Sequence, residues 1–404
     1  MVHLVLPLEI VDEIIRLSPR SVQLSFCRTS HLFRSLATRS LYANVSLDSS
    51  SSLIRLCTTL SSNLTAAICV KHLSIHYTQT EPPNTVYLAA FYRIFKNALL
   101  NLLHLQDFRL LVSDLHIYHT IFSRATTPLW FPSLRHFETY LPLTSPLLNF
   151  IERHPKLAYL EVSHYECFNS DGSHTLYHDR RWAPRKPALL NLHHFVGNSA
   201  YMSTLAPDYP LSLRTAYLIW DAVKECQGPI KALAHTSSHS LNVLTCRRRG
   251  WNVDLVGCIA SYLSDIYALR IINVVVVDAP LSQDFQDSIA HHLSRFRRLQ
   301  HLKMTRQTQW CPTEVCCDLD QELSIVTEWG MACPSLQTIV LPHSEPGIEW
   351  RRIGANLWVP IDVSSHETAR SWLRDSVRGR KSSRLLKNSK QHEDRLLHSF
   401  STNP

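Results

Sequence analysis

Residues 6–15 read LPLEIVDEII, branched apolar side chains interrupted by acids at a helical period. On a wheel turned about 100° per residue, Glu9, Asp12, Glu13 and Arg16 gather in an arc of roughly 100°. Leu8, Ile10, Val11, Ile14, Ile15 and Leu17 fill roughly 180° opposite them. A helix lying on one core shows a narrower stripe, so the pattern predicts burial on two fronts, one against its own domain and one against another body. Pro7 suits the first turn, where its missing N–H is no loss. Ten residues with three acids are too short and too charged to span a bilayer, and no basic leader or small-residue cleavage site makes them a secretory signal.

The same style continues through residue 47. Ser18-Pro19 predicts a second helix start, followed by the apolar Val22, Leu24, Phe26 and Cys27. Ser30 predicts the cap of a third helix carrying Leu32, Phe33, Leu36 and Leu41. Three short helices bury little surface of their own. Marginal size joined to surplus apolar area predicts a module that docks on a partner.

Beyond residue 69 a different period takes over. An L-x-x-L-x-L phrase begins at Val70, Leu105, Leu134, Leu157, Leu189, Leu213, Leu241, Leu269, Leu299 and Leu336. Several copies share a lead-in: FPSL, HPKL, KPAL, FRRL and CPSL. Helical patterns fall between them, opened by Ser145-Pro146 and by Ser282, with another over 318–329. A short strand and a helix recurring every 23–37 residues predict stacked leucine-rich-repeat-like units. A globular α/β domain with Leu-rich strands is the other reading of this pattern.

These residues resemble known families. Leu6, Pro7, Glu9, Ile10, Ile14, Ile15, Cys27, Phe33, Leu36, Leu41 and Tyr42 are similar to the F-box motif, over residues 6–47. With the repeats, the chain resembles F-box/leucine-rich-repeat proteins, notably the expanded sets of mushroom-forming fungi. The resemblance implies an α/β fold: a small three-helix F-box over 1–47, then an irregular solenoid of strand–helix units with a curved parallel sheet over 48–350. A basic, largely disordered extension is expected over 351–404. It implies a non-catalytic substrate-recognition subunit of an SCF-type (cullin–RING) ubiquitin ligase. A Skp-type adaptor would dock on Leu6, Pro7, Leu8, Ile10, Ile14, Ile15, Leu24, Cys27, Phe33 and Leu36, and the repeats would hold an unknown protein target. The link from Leu17 to Val22 is shorter than the family's. An N-terminal cap on a repeat scaffold outside the ubiquitin system is the alternative.

Composition narrows the chemistry. Nine glycines in 404 residues leave no G-x-G-x-x-G, G-x-x-x-x-G-K or G-x-S-x-G, the loops that cradle phosphates or present a nucleophile. No enzyme motif and no cofactor are expected. Eleven scattered cysteines, among them Cys57, Cys69, Cys246 and Cys258 in apolar surroundings, read as reduced small hydrophobes of a cytoplasmic or nuclear protein. His164, Cys167, His174 and His178 have ligand types but poor zinc spacing, and Cys311, Cys316 and Cys317 lack paired C-x-x-C spacing, so no metal is expected. His72 and His76 sit in a strand phrase, where a helical metal motif fails.

The net charge is +8, and nine of the Lys/Arg lie within 367–404 against four Asp/Glu. That tail reads as a solvated basic segment, and neither membrane nor nucleic acid is an expected partner. Arg180, Arg181 and Trp182, and Arg247, Arg248, Arg249 and Trp251, place cations beside an aromatic. Such groups can hold an acidic or phosphorylated target, or be plain solvated loop ends.

Overall fold

The repeated phrase forms strands because its branched and aromatic residues alternate with polar ones at a period of two. A computed structural model of the chain describes residues 6–379 apart from 77–88, 113–119, 123–127, 164–188, 206–210, 221–224, 238, 275–281, 307–318, 343–347 and 363–367. The chain divides into two compact units, Met1–Arg249 and Gly250–Pro404.

The first unit opens with helices α1 (Leu8–Leu17), α2 (Arg20–Phe26) and α3 (His31–Ala43). Strand β1 (Asn44–Leu47) follows, then α4 (Ser50–Ser62), α5 (Leu64–Cys69), β2 (His72–His76), α6 (Ala89–Leu100), β3 (Asp107–Leu111) and β4 (His136–Thr139). Next come α7 (Ser145–Glu152), β5 (Tyr159–Val162), β6 (His194–Asn198), α8 (Tyr201–Leu205), β7 (Thr215–Ile219), α9 (Gln227–Ser237) and β8 (Val243–Arg248). Each strand from β1 to β8 pairs in parallel with the next in chain order. Parallel neighbours need crossover connections; among the described residues α4 and α5, α6, α7, α8 and α9 lie in five of the seven.

The register shows what the phrase does. Its first position (Val70, Leu105, Leu134, Leu157, Leu213, Leu241) and its second (Leu73, Phe108, Phe137, Leu160, Phe195, Ala216, Leu244) form buried rows. Between them, one carbonyl per unit accepts two amides from the next: Ala158 O takes His193 N at 2.9 Å and His194 N at 3.0 Å. The carbonyls of Lys71, Gln106, Arg135, His193 and Arg214 do the same. This repeated bond sets the step between units, since every backbone donor at the strand start is satisfied by its neighbour.

Two phrases start elsewhere than expected. Leu160 pairs with Phe195, so the fifth phrase begins at Leu192 and not Leu189. Leu269 pairs with Leu302, so the eighth begins at Ile266. At the fifth, Leu189 fills the turn position held by Phe131 and His154 in the preceding units, its carbonyl accepting Leu192 N at 3.1 Å as theirs accept Leu134 N and Leu157 N. The true third position is Gly197, whose absent side chain hides the phrase. A Cβ there would stand 2.9 Å from the Phe195 ring and 3.1 Å from the Val162 carbonyl.

Two domain boundaries also move. β1 lies within the span expected for the N-terminal module, yet Asn44–Leu47 pairs with His72–Ile75 as the first strand of the sheet. The boundary expected at 351 falls inside a strand of the second unit, Ile348–Gly354, which pairs on both sides. That unit runs α10 (Val253–Tyr262), β9 (Ala268–Asn273), α11 (Gln283–Leu293), β10 (His301–Arg306), α12 (Leu319–Ala332), β11 (Thr338–Val340), β12 (Ile348–Gly354), β13 (Leu357–Asp362) and α13 (Thr368–Gly379). β9, β10 and β11 are parallel, and β12 and β13 add antiparallel. Gly250, at the start of the unit, has φ +72°, a conformation that favours glycine, and donates to Asn273 Oδ1 at 2.8 Å.

Candidate docking surfaces

The N-terminal helices meet on a small core. Ile15, Leu36 and Ala37 are buried, with Val11, Phe26, Cys27 and Phe33 packed against them. Phe26 and Phe33 stack at 5.4 Å between centroids. Ser30 caps α3 as expected, accepting Phe33 N at 3.2 Å. The link between α1 and α2 is only Ser18-Pro19, and Gln23 closes it from inside. Its buried amide donates to Ile15 O at 2.9 Å and Ser18 O at 3.0 Å, satisfying carbonyls at the end of α1. Asp12 reaches Arg39 of α3 at 2.6 Å, so part of the polar arc also faces inward. Glu13 pairs with Arg16 on the outside, and that hydrogen bond holds its carboxyl below the usual range.

The wide apolar arc divides as the wheel requires. Val11 and Ile15 face the core, with Ile15 at 0% exposure; Leu8 (48%), Ile10 (48%) and Ile14 (46%) face outward. Leu6, Leu17, Val22, Leu24 and Leu32 are exposed as well. Of the residues expected to meet an adaptor, Leu6, Leu8, Ile10, Ile14 and Leu24 are therefore available. Pro7 N-caps α1, its carbonyl accepting Ile10 N at 3.1 Å. Cys27 and Phe33 are half-buried, whereas Ile15 and Leu36 hold the module together.

A second surface is the sheet face opposite the core, built from the x positions of the phrase. Arg109 Nε lies 3.2 Å from Asp107 and 3.6 Å from Glu138, and these carboxylates raise its pKa. His136 sits between the same two acids at 3.8 and 3.9 Å. Its ring stacks on Tyr159 at 4.0 Å with 5° between planes. The Tyr159 hydroxyl donates to Glu161 at 2.6 Å, and Ser163 donates to the same carboxylate at 2.8 Å. Burial, and then this bond to Glu161, push the Tyr159 phenol up. Three strands thus present fixed carboxylates beside a flat aromatic pair, groups suited to recognition. Sequence reasoning missed this row, although its signal was present: alternate residues of each strand phrase must share the outer face.

The basic clusters fare differently. Arg180, Arg181 and Trp182 lie outside the described residues, as do His164, Cys167, His174, His178, Cys311, Cys316 and Cys317. Arg247 and Arg248 end β8 half-buried, with Arg248 Nη1 3.0 Å from Cys226 Sγ, and only Arg249 is exposed. Trp251 belongs to the second unit and packs on Phe285 at 6.5 Å. Cys57, Cys226, Cys246 and Cys333 are buried free thiols, and burial pushes Cys57 up to about 12. Among the described residues no cluster of three His, Cys, Asp or Glu is placed to hold a metal, and no helix is long and apolar enough to cross a membrane.

Compared with models of known protein families, and with curated proteins, the chain matches none.

Proposed function

We propose that the protein is a non-catalytic substrate receptor of an SCF-type ubiquitin ligase, its N-terminal helices docking a Skp-type adaptor and its strand repeats holding a protein target. The observation that carries this reading is the exposed apolar surface of Leu6, Leu8, Ile10, Ile14 and Leu24 on helices whose own core is small. Large apolar side chains left exposed in such number over so short a stretch support an interaction site. The in-register L-x-x-L-x-L strands support a leucine-rich-repeat solenoid as the target-binding part.

Co-purification of the full chain with a Skp-type adaptor tests it. Ile10→Asp and Ile14→Asp change exposed positions, so they should abolish co-purification while the circular dichroism spectrum stays unchanged. An intact chain that does not retain the adaptor defeats the proposal.

One observation favours a second reading, a repeat scaffold outside the ubiquitin system. α3 runs without a linker into β1, the first strand of the sheet, so the three helices also serve as its N-terminal cap. On that reading the chain alone is monodisperse and needs no adaptor.

A further inference from the structure

On the sheet of the second unit, Arg270 of β9 and Lys303 of β10 are direct register partners on adjacent parallel strands, and both are exposed. Neighbouring strands lie about 4.8 Å apart, and like charges set opposite one another destabilise a sheet. Two other strand cations have acids beside them: Arg109 has Asp107 and Glu138, and Arg351 has Glu349 at 3.2 Å. The side chains of Arg270 and Lys303 have no hydrogen-bond or ion-pair partner among the described residues. Folding gains nothing from this juxtaposition, whereas an anion set between the two side chains would gain from both.

Two residues back along β10, on the same face, His301 borders a groove of about 570 Å³ walled also by Gln337, Thr338, Arg351 and Arg352. The His301 ring is held at both nitrogens, Nδ1 2.7 Å from Thr338 Oγ1 and Nε2 3.0 Å from the Tyr267 hydroxyl. Arg352 is likewise fixed, donating to the Pro334 carbonyl at 2.7 Å with its guanidinium 5.7 Å from the Trp358 ring centre. Glu349 is the acid on this wall, and Arg351 pairs with it.

We propose that this face binds an acidic polypeptide segment, Arg270 and Lys303 taking its carboxylates or phosphates while the adjoining residues lie in the groove beside His301. A nucleic acid fits less well for two reasons. Its phosphates recur at short, uniform spacing and would meet Glu349, where a peptide can place a neutral residue. Of the side chains flanking the cations on this face, Ala268, Thr305 and Val340 are not aromatic, and the His301 ring is already engaged by Thr338 and Tyr267, a poorer platform for stacked bases than for a peptide. The inference does not depend on the N-terminal helices, so peptide binding and adaptor co-purification succeed or fail separately.

Fluorescence anisotropy on the full chain tests it with four labelled probes of equal length: a Glu-rich peptide, a peptide with two phosphoserines, a Lys-rich peptide and a single-stranded DNA. At least one anionic peptide should bind about tenfold or more tighter than the Lys-rich one, and weaken as salt rises; which of the two binds distinguishes carboxylate from phosphate. Lys303→Glu should lower that affinity at least tenfold while the thermal midpoint holds or rises, because the new acid pairs with Arg270. Lys303→Arg should retain binding. Should Lys303→Glu misfold, Arg270→Gln must show the same loss of binding in a folded protein. The proposal is overturned if neither anionic peptide outbinds the Lys-rich one, if the affinity survives in a folded Lys303→Glu or Arg270→Gln chain, or if the DNA binds more tightly than both anionic peptides.

Discussion

The backbone N–H of Phe131 donates to Nε2 of His154, 2.9 Å away across two successive units. Nε2 must therefore be bare, so the ring carries its proton on Nδ1, which donates to the Phe150 carbonyl at 2.6 Å. Phe131 and Phe150 pack on the His154 ring at 5.7 and 4.3 Å between centres, and Phe122 and Phe137 join Phe150 at 4.9 and 5.0 Å. His154 is neutral here by necessity, because a second ring proton would point at the Phe131 N–H.

Burial accordingly lowers the His154 pKa from 6.5 to about 4. Between those values the unfolded chain binds more protons than the folded one, so stability is full above pH 6.5 and falls as the pH drops towards 4. The loss by pH 5 should be about 2 kcal/mol relative to pH 8, read from urea melts. His154→Phe should destabilise by about 1–3 kcal/mol at pH 8, leaving the buried Phe131 N–H unpaired while the Phe150 carbonyl keeps only the Arg153 N–H, and its acid limb should be shallower by the His154 share. Equal pH dependence in the two proteins would remove His154 from this role.

Ile14 and Ile15 are adjacent in α1 and have opposite roles. Ile15→Ala should cost about 2–5 kcal/mol by hollowing the N-terminal core, whereas Ile14→Ala should stay within about 0.5 kcal/mol. Only Ile14→Ala should weaken adaptor binding at unchanged fold. Denaturant melts and quantitative pull-downs of the two variants separate these effects.

Gln23 joins α1 to α2 through its buried amide. Gln23→Leu keeps the volume but leaves the Ile15 and Ser18 carbonyls without that donor, an expected loss of about 1–3 kcal/mol. Amide exchange should accelerate in α1 and α2 while β2 to β8 stay protected, and uniform acceleration would contradict a local clasp.

Gly330 lies inside α12, where alanine is ordinarily better by about 1 kcal/mol. A Cβ there would come within 2.6 Å of Trp358 Nε1 and 2.7 Å of its Cζ2, and that ring is buried. Gly330→Ala should therefore destabilise by about 1–3 kcal/mol through overpacking. A thermal midpoint equal to or above the parent's would show that the Trp358 ring yields freely.

The strand phrase was legible in sequence because every unit buries the same alternate positions, and periodicity survives translation along the chain. Eight of its ten placements stand in register. The slip at Leu189 arose where KPAL imitates the lead-in of FPSL and HPKL while Gly197 removes the confirming side chain. The helix caps at Ser30 and Ser282 were legible too, since capping joins residues three apart.

By itself the sequence determined the alternation of strand and helix, the α/β class and the excess apolar arc of α1, all properties of neighbours along the chain. Only the tertiary structure decided which half of that arc faces inward, for Ile15 is buried by Leu36 and Ala37, residues more than 20 positions away. It also decided that Arg270 lies beside Lys303, and that His154 answers Phe131. Those relations join residues 23 to 33 positions apart, and only strand register and the packing of successive units bring them within reach.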